Sequence, residues 1–317
     1  MITLPLISTD TKLFHRVKTI IDSRPQDGYD LRLFTTLKSA EEFLSTAMPE
    51  LLFINFSDTF QLFEAPHSDV WLQHSGIIAL CEGCQTIDQI NAIRGASILA
   101  ALTFDDLEKR LPGILDIIRS NRPLLYHHRR GPDRSGVLAG SFRLRNNLFE
   151  AGCYINIICN YLCNSHKLTI DNRFFFHLPL YEMIANAIEH GNCGIAYEDK
   201  SRFLEHGGCA PDLIQEKCDD PAVAAKAVML GYALHPSYGR FVIADEGAGF
   251  DWRATIDAML KKDSLRLHGR GILITREIVR SLRYNEKGNE VTLEIDYEPP
   301  TPALRNLSKP FEKKNAG

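Results

Sequence analysis

The chain has 317 residues, of which 44% are hydrophobic and 24% charged, with a formal net charge of -4. At roughly 100–200 residues per domain, this length predicts two domains or three small ones, each large enough to bury a core. The charge excludes a polyanion binder driven by bulk attraction, no apolar run is long enough to span a bilayer, and MITLPLISTDTK lacks the basic and apolar regions of a secretory leader. The eight cysteines form no regular framework and fit a reducing compartment. The expectation is a cytoplasmic protein that engages neither membrane nor nucleic acid directly.

Apolar runs alternate with amphipathic stretches over the first 121 residues. Ile2–Ile7 reads as a strand, and Lys12–Ile21 as a helix with Leu13, Val17, Ile20 and Ile21 on one face. Leu31–Phe34 is a second strand, followed by a helix over Ser39–Ala47 with Ser39 as its N-cap. The continuous apolar runs Leu51–Phe56 and Gly76–Leu80 are typical of buried parallel strands. Thr86–Ile93, Ile98–Leu102 and Asp105–Arg119 complete the series as helix, strand and helix. Such alternation predicts an α/β domain with a doubly wound, five-stranded parallel sheet. Cys81 and Cys84 form a CxxC, but no second pair accompanies them to complete a zinc site.

Residues 122–137 are rich in Pro, Gly and Arg and read as a basic linker, either a solvated hinge or a docking strip for an acidic group. Beyond it, Ser141–Asn147 suits an edge strand. Glu150–Leu162 suits an apolar helix, with Cys153, Cys159 and Cys163 as packing residues. Lys200–Glu205 and Asp220–Met229 read as helical, and Glu290–Asp296 is the last strand. Residues 298–317 form a polar tail expected to be disordered.

Three stretches carry chemistry. In LPLYEMIANAIEHGN, which starts at Leu178, the residues Leu180, Met183, Ile184, Ala187 and Ile188 make one buried helical stripe. Glu182, Asn186 and Glu189 fall on another face. The carboxylate can orient a hydroxyl or take its proton, and the amide oxygen is a hard ligand suited to Mg²⁺. In FVIADEGAGF a strand runs into Asp245, whose carboxylate can accept a hydrogen bond from an exocyclic amine. Gly247 and Gly249 let the backbone come close to a flat ring. In HGRGILITREIVRSL, Gly269 and Gly271 precede a helix expected to run to Leu282. Free amides at its start favour phosphate oxygens, and Arg270 adds a charge-assisted contact. Between the last two stretches, Asp251–Leu267 reads as a loop able to close over a ligand.

Each stretch has a bland reading as packing or solvated surface, but their order is informative. Glu-x-x-x-Asn on a helix, Asp-x-Gly-x-Gly after a strand, a variable loop, and Gly-x-Gly opening a helix before a strand resemble the GHKL ATPases of the Bergerat fold, over about Leu138–Asp296. The resemblance implies an α/β sandwich holding ATP and Mg²⁺. It implies Asn186 on the metal, Asp245 on the adenine amine, Gly247 and Gly249 at the adenine wall, and Gly269 and Gly271 at the phosphates. Asp251–Leu267 becomes the lid, with Lys261, Lys262 and Arg266 as its basic residues. Gly288-Asn289 departs from the usual Gly-Thr.

Within that group the chain resembles the anti-sigma-factor serine kinases of bacterial partner-switching pathways. Glu182 stands where the base for a protein serine hydroxyl is expected, and no helical phosphoacceptor hairpin precedes the ATP unit. His127 and His128 lie in the linker beside Gly131 and Pro132. The resemblance implies a serine/threonine protein kinase whose partner is an anti-sigma-factor antagonist of the STAS type, or a sigma factor, and it leaves a homodimer open. The alternatives are an ATP-dependent binding switch or anti-sigma factor without catalysis, and a kinase acting on a separate phosphotransfer protein.

The first domain resembles a response-regulator receiver with a degenerate site. Asn55 occupies the phosphoacceptor position at the end of the third strand. Ser8 and Thr9 replace the acidic pair, with only Asp10 nearby, and the fifth strand lacks the family's lysine. Asp58 would need a register shift to serve. A pseudo-receiver used for docking or dimerisation is expected.

Overall fold

The computed structural model describes residues 1–64, 70–93, 96–125, 136–261 and 271–298, apart from the side chains of Glu64, Val70, Cys84, Asp88, Asn91, Ala92 and 258–261. The chain divides into two compact units. Met1–Pro132 with Asn156–Arg173 forms one, and Asp133–Ile155 with Phe174–Gly317 the other.

The first unit holds strands β1 (Ile2–Ile7), β2 (Tyr29–Phe34), β3 (Leu51–Asn55), β4 (Gly76–Cys81) and β5 (Ile98–Thr103). They form one parallel sheet in the order β2-β1-β3-β4-β5. Parallel strands must be covered on both faces, and every residue of β3 and β4 is buried. Leu52, Ile54, Ile77 and Ala79 pack with Trp71, Leu72, Ala40 and Leu44 in one core cluster. The first helix, Thr11–Asp22, buries the four predicted residues. It starts where it does because Asp10 Oδ1 accepts from the amides of Lys12 at 2.7 Å and Leu13 at 3.1 Å. The next helix, Leu37–Ala47, begins earlier than expected. Thr36 is its N-cap and accepts from Ser39 N, so Ser39 sits inside the first turn.

Of the expected linker at 122–137, Arg122–Leu125 is a helical turn and residues 126–135 lie outside the described residues, while residues 156–173 belong to the first unit. They supply polar partners there. Asn160 Nδ2 donates to Ser97 Oγ at 2.6 Å, and Asn164 Nδ2 donates to Asn160 Oδ1 at 3.0 Å. Arg173 Nη2 donates to Ile98 O at 2.7 Å and to Asn156 Oδ1 at 3.0 Å. Asn160 and Asn164 are buried, and these bonds satisfy them.

The second unit holds β6 (Leu138–Leu144), β7 (Val228–Leu234), β8 (Tyr238–Ala244), β9 (Ser281–Tyr284) and β10 (Glu290–Asp296). They form an antiparallel sheet in the order β6-β7-β8-β10-β9. β6 is the edge strand anticipated, and helices complete the α/β unit. Three sequence expectations fail here. The helix expected over Asp220–Met229 is confined to Pro221–Ala224, capped by Asp220. Val228 and Met229 open β7, which is paired on both sides, so sheet pairing overrides an alanine-rich propensity. The helix after the Gly-x-Gly turn ends at Ile278, because Leu282 pairs with Leu293 in β10. The segment expected as a loop opens with a helix, Trp252–Lys261, and its remainder lies outside the described residues, as does the tail from residue 299.

Cys153, Cys159 and Cys163 are buried, and burial pushes the thiols of Cys153 and Cys159 up to about 12. They are packing residues, as expected. Among the described residues no helix is long and apolar enough to cross a membrane.

Candidate functional site

The helix Arg173–Asn186 runs directly into a π-helical turn, Ala187–Asn192. Leu180, Met183, Ile184, Ala187 and Ile188 are buried as the stripe required. Glu182 and Asn186 are half-buried on the other side. Among the described residues neither side chain has a protein hydrogen-bond partner. Burial pushes the Glu182 carboxyl above the usual carboxylate range, Lys200 pulls it back, and Glu189 pushes it up again. Glu189 itself is 2% exposed rather than on the open polar face. It pairs with Lys200, Nζ to Oε2 at 2.5 Å. The sequence projection assumed 3.6 residues per turn, and the π turn breaks that period.

β8 delivers Asp245 to the same region. Asp245 N donates to Asn289 O at 2.9 Å, and Asn289 Nδ2 donates to Asp245 O at 3.0 Å. Asn289 also accepts from Asn285 Nδ2 at 3.0 Å. The departure from Gly-Thr therefore turns this position into a tie between strand ends. Asp245 Oδ1 accepts from Gly247 N at 2.8 Å, and Oδ2 has no protein partner among the described residues. Burial pushes the Asp245 carboxyl up, against the Gly247 amide, Lys287 and Lys226, which pull it down.

Glycines make this approach feasible. A Cβ on Gly191 would stand 2.6 Å from both carboxylate oxygens of Asp245, and one on Gly247 would run into Gly191 O. Gly249 has φ +80°, and a Cβ there would collide with Lys287 O. Beside the turn lies an open groove of about 690 Å³, lined in part by Ala248, Gly249, Phe250, Asp251, Glu286 and Lys287.

Asn192 joins the π turn to the Asp245 turn, a role the sequence reading did not assign. Its Oδ1 accepts from Glu246 N at 2.8 Å, its Nδ2 donates to Asn146 Oδ1 at 2.8 Å, and its carbonyl accepts from Lys226 Nζ at 3.2 Å. The available signal was its position closing the EHGN stretch, six residues after Asn186.

The third element meets the first. Gly271 opens the helix Gly271–Ile278, and a Cβ there would collide with Glu182 Oε2. The Glu182 carboxylate thus lies against the start of that helix, where amide groups lack intrahelical acceptors. Gly269, Arg270, Lys262 and Arg266 lie outside the described residues, as do His127, His128 and the side chain of Lys261. The donor set fits a magnesium nucleotide: a free amide oxygen, an amine acceptor on Asp245, and glycine backbone at close range.

In the first unit, Asp58 is already engaged. Its carboxylate accepts from Ser8 Oγ at 3.1 Å, Thr9 N at 2.7 Å, Thr9 Oγ1 at 2.9 Å and Asn55 Nδ2 at 2.9 Å. Asp10 caps the first helix. Among the described residues, no three His, Cys, Asp or Glu side chains cluster to hold a metal.

Comparison with known families bears on the second unit above all. Residues 160–295 match the family model for the histidine kinase-like ATPase domain. The match includes Glu182, Asn186, the Asp245 turn and Gly271, and covers less than half of the chain. It supports a GHKL-type ATPase fold, ATP binding, and an ATP-dependent activity of the kinase or ATPase class. No curated protein matches the chain.

Proposed function

We propose that this protein is an ATP-dependent serine/threonine protein kinase of the partner-switching type, acting on a STAS-type anti-sigma-factor antagonist. The observation that carries the reading is Glu182, a half-buried carboxylate with no protein partner among the described residues, set against the helix start at Gly271. A carboxylate in that setting is free to take a proton from an incoming hydroxyl.

In this reading Asp245 Oδ2 accepts the exocyclic amine of adenine, and Gly247 and Gly249 keep side chains away from the ring. Asn186 offers its amide oxygen to Mg²⁺, one turn from Glu182. Gly271, with Gly269 and Arg270, receives phosphate oxygens. Glu182 orients the partner's serine or threonine hydroxyl and holds its proton. Bound Mg-ATP supplies the phosphoryl group and offsets charge on its oxygens. In the first unit we read a docking domain not switched by aspartyl phosphate, since four donors occupy Asp58.

The test is incubation of the full chain with γ-labelled Mg-ATP and STAS proteins from the same genome. Acid-stable phosphate on the partner's serine or threonine is expected, and Glu182→Ala should abolish it while ATP still binds. ATP binding with no transfer to any candidate would replace this reading with a non-catalytic binding switch. Acid-labile phosphate on a separate protein would replace it with a histidine kinase acting in trans.

A further inference from the structure

The hairpin turn between β9 and β10, residues 285–289, grips the Asp245 turn at both ends. At one end Asn289 bonds the Asp245 backbone through its carbonyl and its side-chain amide. At the other, Phe250 N donates to Lys287 O at 3.1 Å, and Trp252 Nε1 donates to Asn285 O at 3.0 Å. The hairpin turn is itself pinned by Asn285 Oδ1, which accepts from Gly288 N at 2.7 Å and from Asn289 N at 3.2 Å. Gly288 has φ +78°, and a Cβ there would collide with Phe250 O. The two turns therefore meet backbone to backbone, which only a residue without a side chain allows.

Between these anchors one side chain crosses the Asp245 turn. Lys287 Nζ donates to Gly247 O at 3.0 Å. Its stem lies over Gly249, since a Cβ on that glycine would stand 3.0 Å from Lys287 Cγ. The backbone bonds fix where the stem starts, so the side chain has less freedom to lose in reaching the carbonyl. Gly247 is buried, and a charged donor makes a stronger bond than a neutral one. Gly247 is thus held on both sides: the ammonium holds its carbonyl, and its own amide donates to Asp245 Oδ1 at 2.8 Å. That second bond occupies Oδ1 and fixes the rotation of the carboxylate, which leaves Oδ2 as the open acceptor.

We propose that Lys287 is a positioning residue: its ammonium locks Gly247 in place and thereby sets the rotation of the Asp245 carboxylate, so that Oδ2 meets an incoming exocyclic amine in one direction. That the ligand carries such an amine rests on the kinase reading, whereas the lock on Gly247 does not. A fixed acceptor makes a well-aligned hydrogen bond, and misalignment weakens that bond steeply. Loss of the lock therefore costs more affinity for a nucleotide that has the amine than for one that lacks it.

The experiment compares the full chain with Lys287→Met, which keeps the stem and removes the ammonium, and with Lys287→Arg, which restores a charged donor. Lys287 is exposed on its turn, so neither change disturbs the core. Amide hydrogen exchange is followed by NMR at Gly247, with Leu293 in β10 as the reference. Exchange at Gly247 should quicken about tenfold in Lys287→Met, the equivalent of one hydrogen bond of ~1.4 kcal/mol, and slow again in Lys287→Arg. Leu293 should not respond. ATP and purine riboside triphosphate, which lacks only the exocyclic amine, are then titrated into the same samples. The wild-type chain should prefer ATP, and Lys287→Met should shrink that preference by about threefold or more. Equal weakening of both nucleotides would reduce Lys287 to a structural tie and overturn the proposal, as would unchanged exchange at Gly247. Binding of neither nucleotide by the wild-type chain would sink the kinase reading, and the exchange at Gly247 would still decide the lock.

Discussion

Glu182 and Asn186 occupy one helix face one turn apart, and both lack protein partners among the described residues. Burial raises the Glu182 carboxyl in the folded chain, so ionising it costs folding free energy. That cost is absent below the unfolded value of about 4.3 and grows as pH rises through the higher folded value. Glu182→Gln should therefore melt at a higher temperature than wild type at neutral pH, with the gap closing as pH falls toward 4.3. Melting curves across that range check the sign. Asn186→Ala should change stability by less than about 0.5 kcal/mol and lose nucleotide binding, read by equilibrium titration with a fluorescent analogue. That the two residues share one face was legible in the sequence, because a spacing of four puts them one helical turn apart. Glu189 was grouped on one face with Glu182 and Asn186, and Asn192 received no role, since a π turn and hydrogen bonds to distant turns leave no periodic trace.

Buried polar ties decide where the motif-bearing elements stop. Asn192→Ala would strip Glu246 N of its acceptor and Asn146 Oδ1 of its donor. At ~1–3 kcal/mol per buried group left unmatched, it should rank among the most destabilising substitutions in the second unit and weaken nucleotide binding, as denaturant melts and titrations would show. Asp58 plays the corresponding part in the first unit by joining the segments after β1 and β3. Asp58→Ala should cost about 1–2 kcal/mol, less than Asn192→Ala because Asp58 is only half-buried. Acetyl phosphate should add no phosphate to the wild-type chain, as intact mass would show. The strands of the first unit were legible because two-sided burial writes continuous apolar runs. β7 was hidden because alanine-rich text suggests a helix until two neighbouring strands are known to pair with it. Helix Gly271–Ile278 was overextended because the apolar positions beyond it, such as Leu282, also suit a strand.

At the scale of the molecule, the parallel sheet was legible from the alternation of elements in the first domain, a second unit from the change in pattern near Leu138, and the ATPase-like order of motifs from the text after Leu178, whereas the antiparallel pairing of the second sheet was not. The return of residues 156–173 to the first unit was not legible, because a reading along the chain assigns neighbours in sequence to the same unit. One signal was present: the helix Leu148–Asn164 is apolar around most of its circumference, which marks burial on more than one side. A fragment of residues 1–132 should consequently be less stable than one of residues 1–173, with weaker amide-exchange protection in β5. Equal protection in the two fragments would count against the role given to Asn156, Asn160, Asn164 and Arg173.

The same feature sets a timetable for synthesis. A ribosome delivers the chain from the N-terminus at ~5–20 residues per second. All five strands of the parallel sheet emerge well before the last polar partners of that unit. Ser97 Oγ and the carbonyls of Ile98 and Leu99 await their donors on Asn160, Arg173 and Asn156, which lie 63, 75 and 57 residues further along the chain. The nascent first unit is thus left with an unfinished edge for several seconds, a window in which a chaperone or a second copy of the chain could reach it.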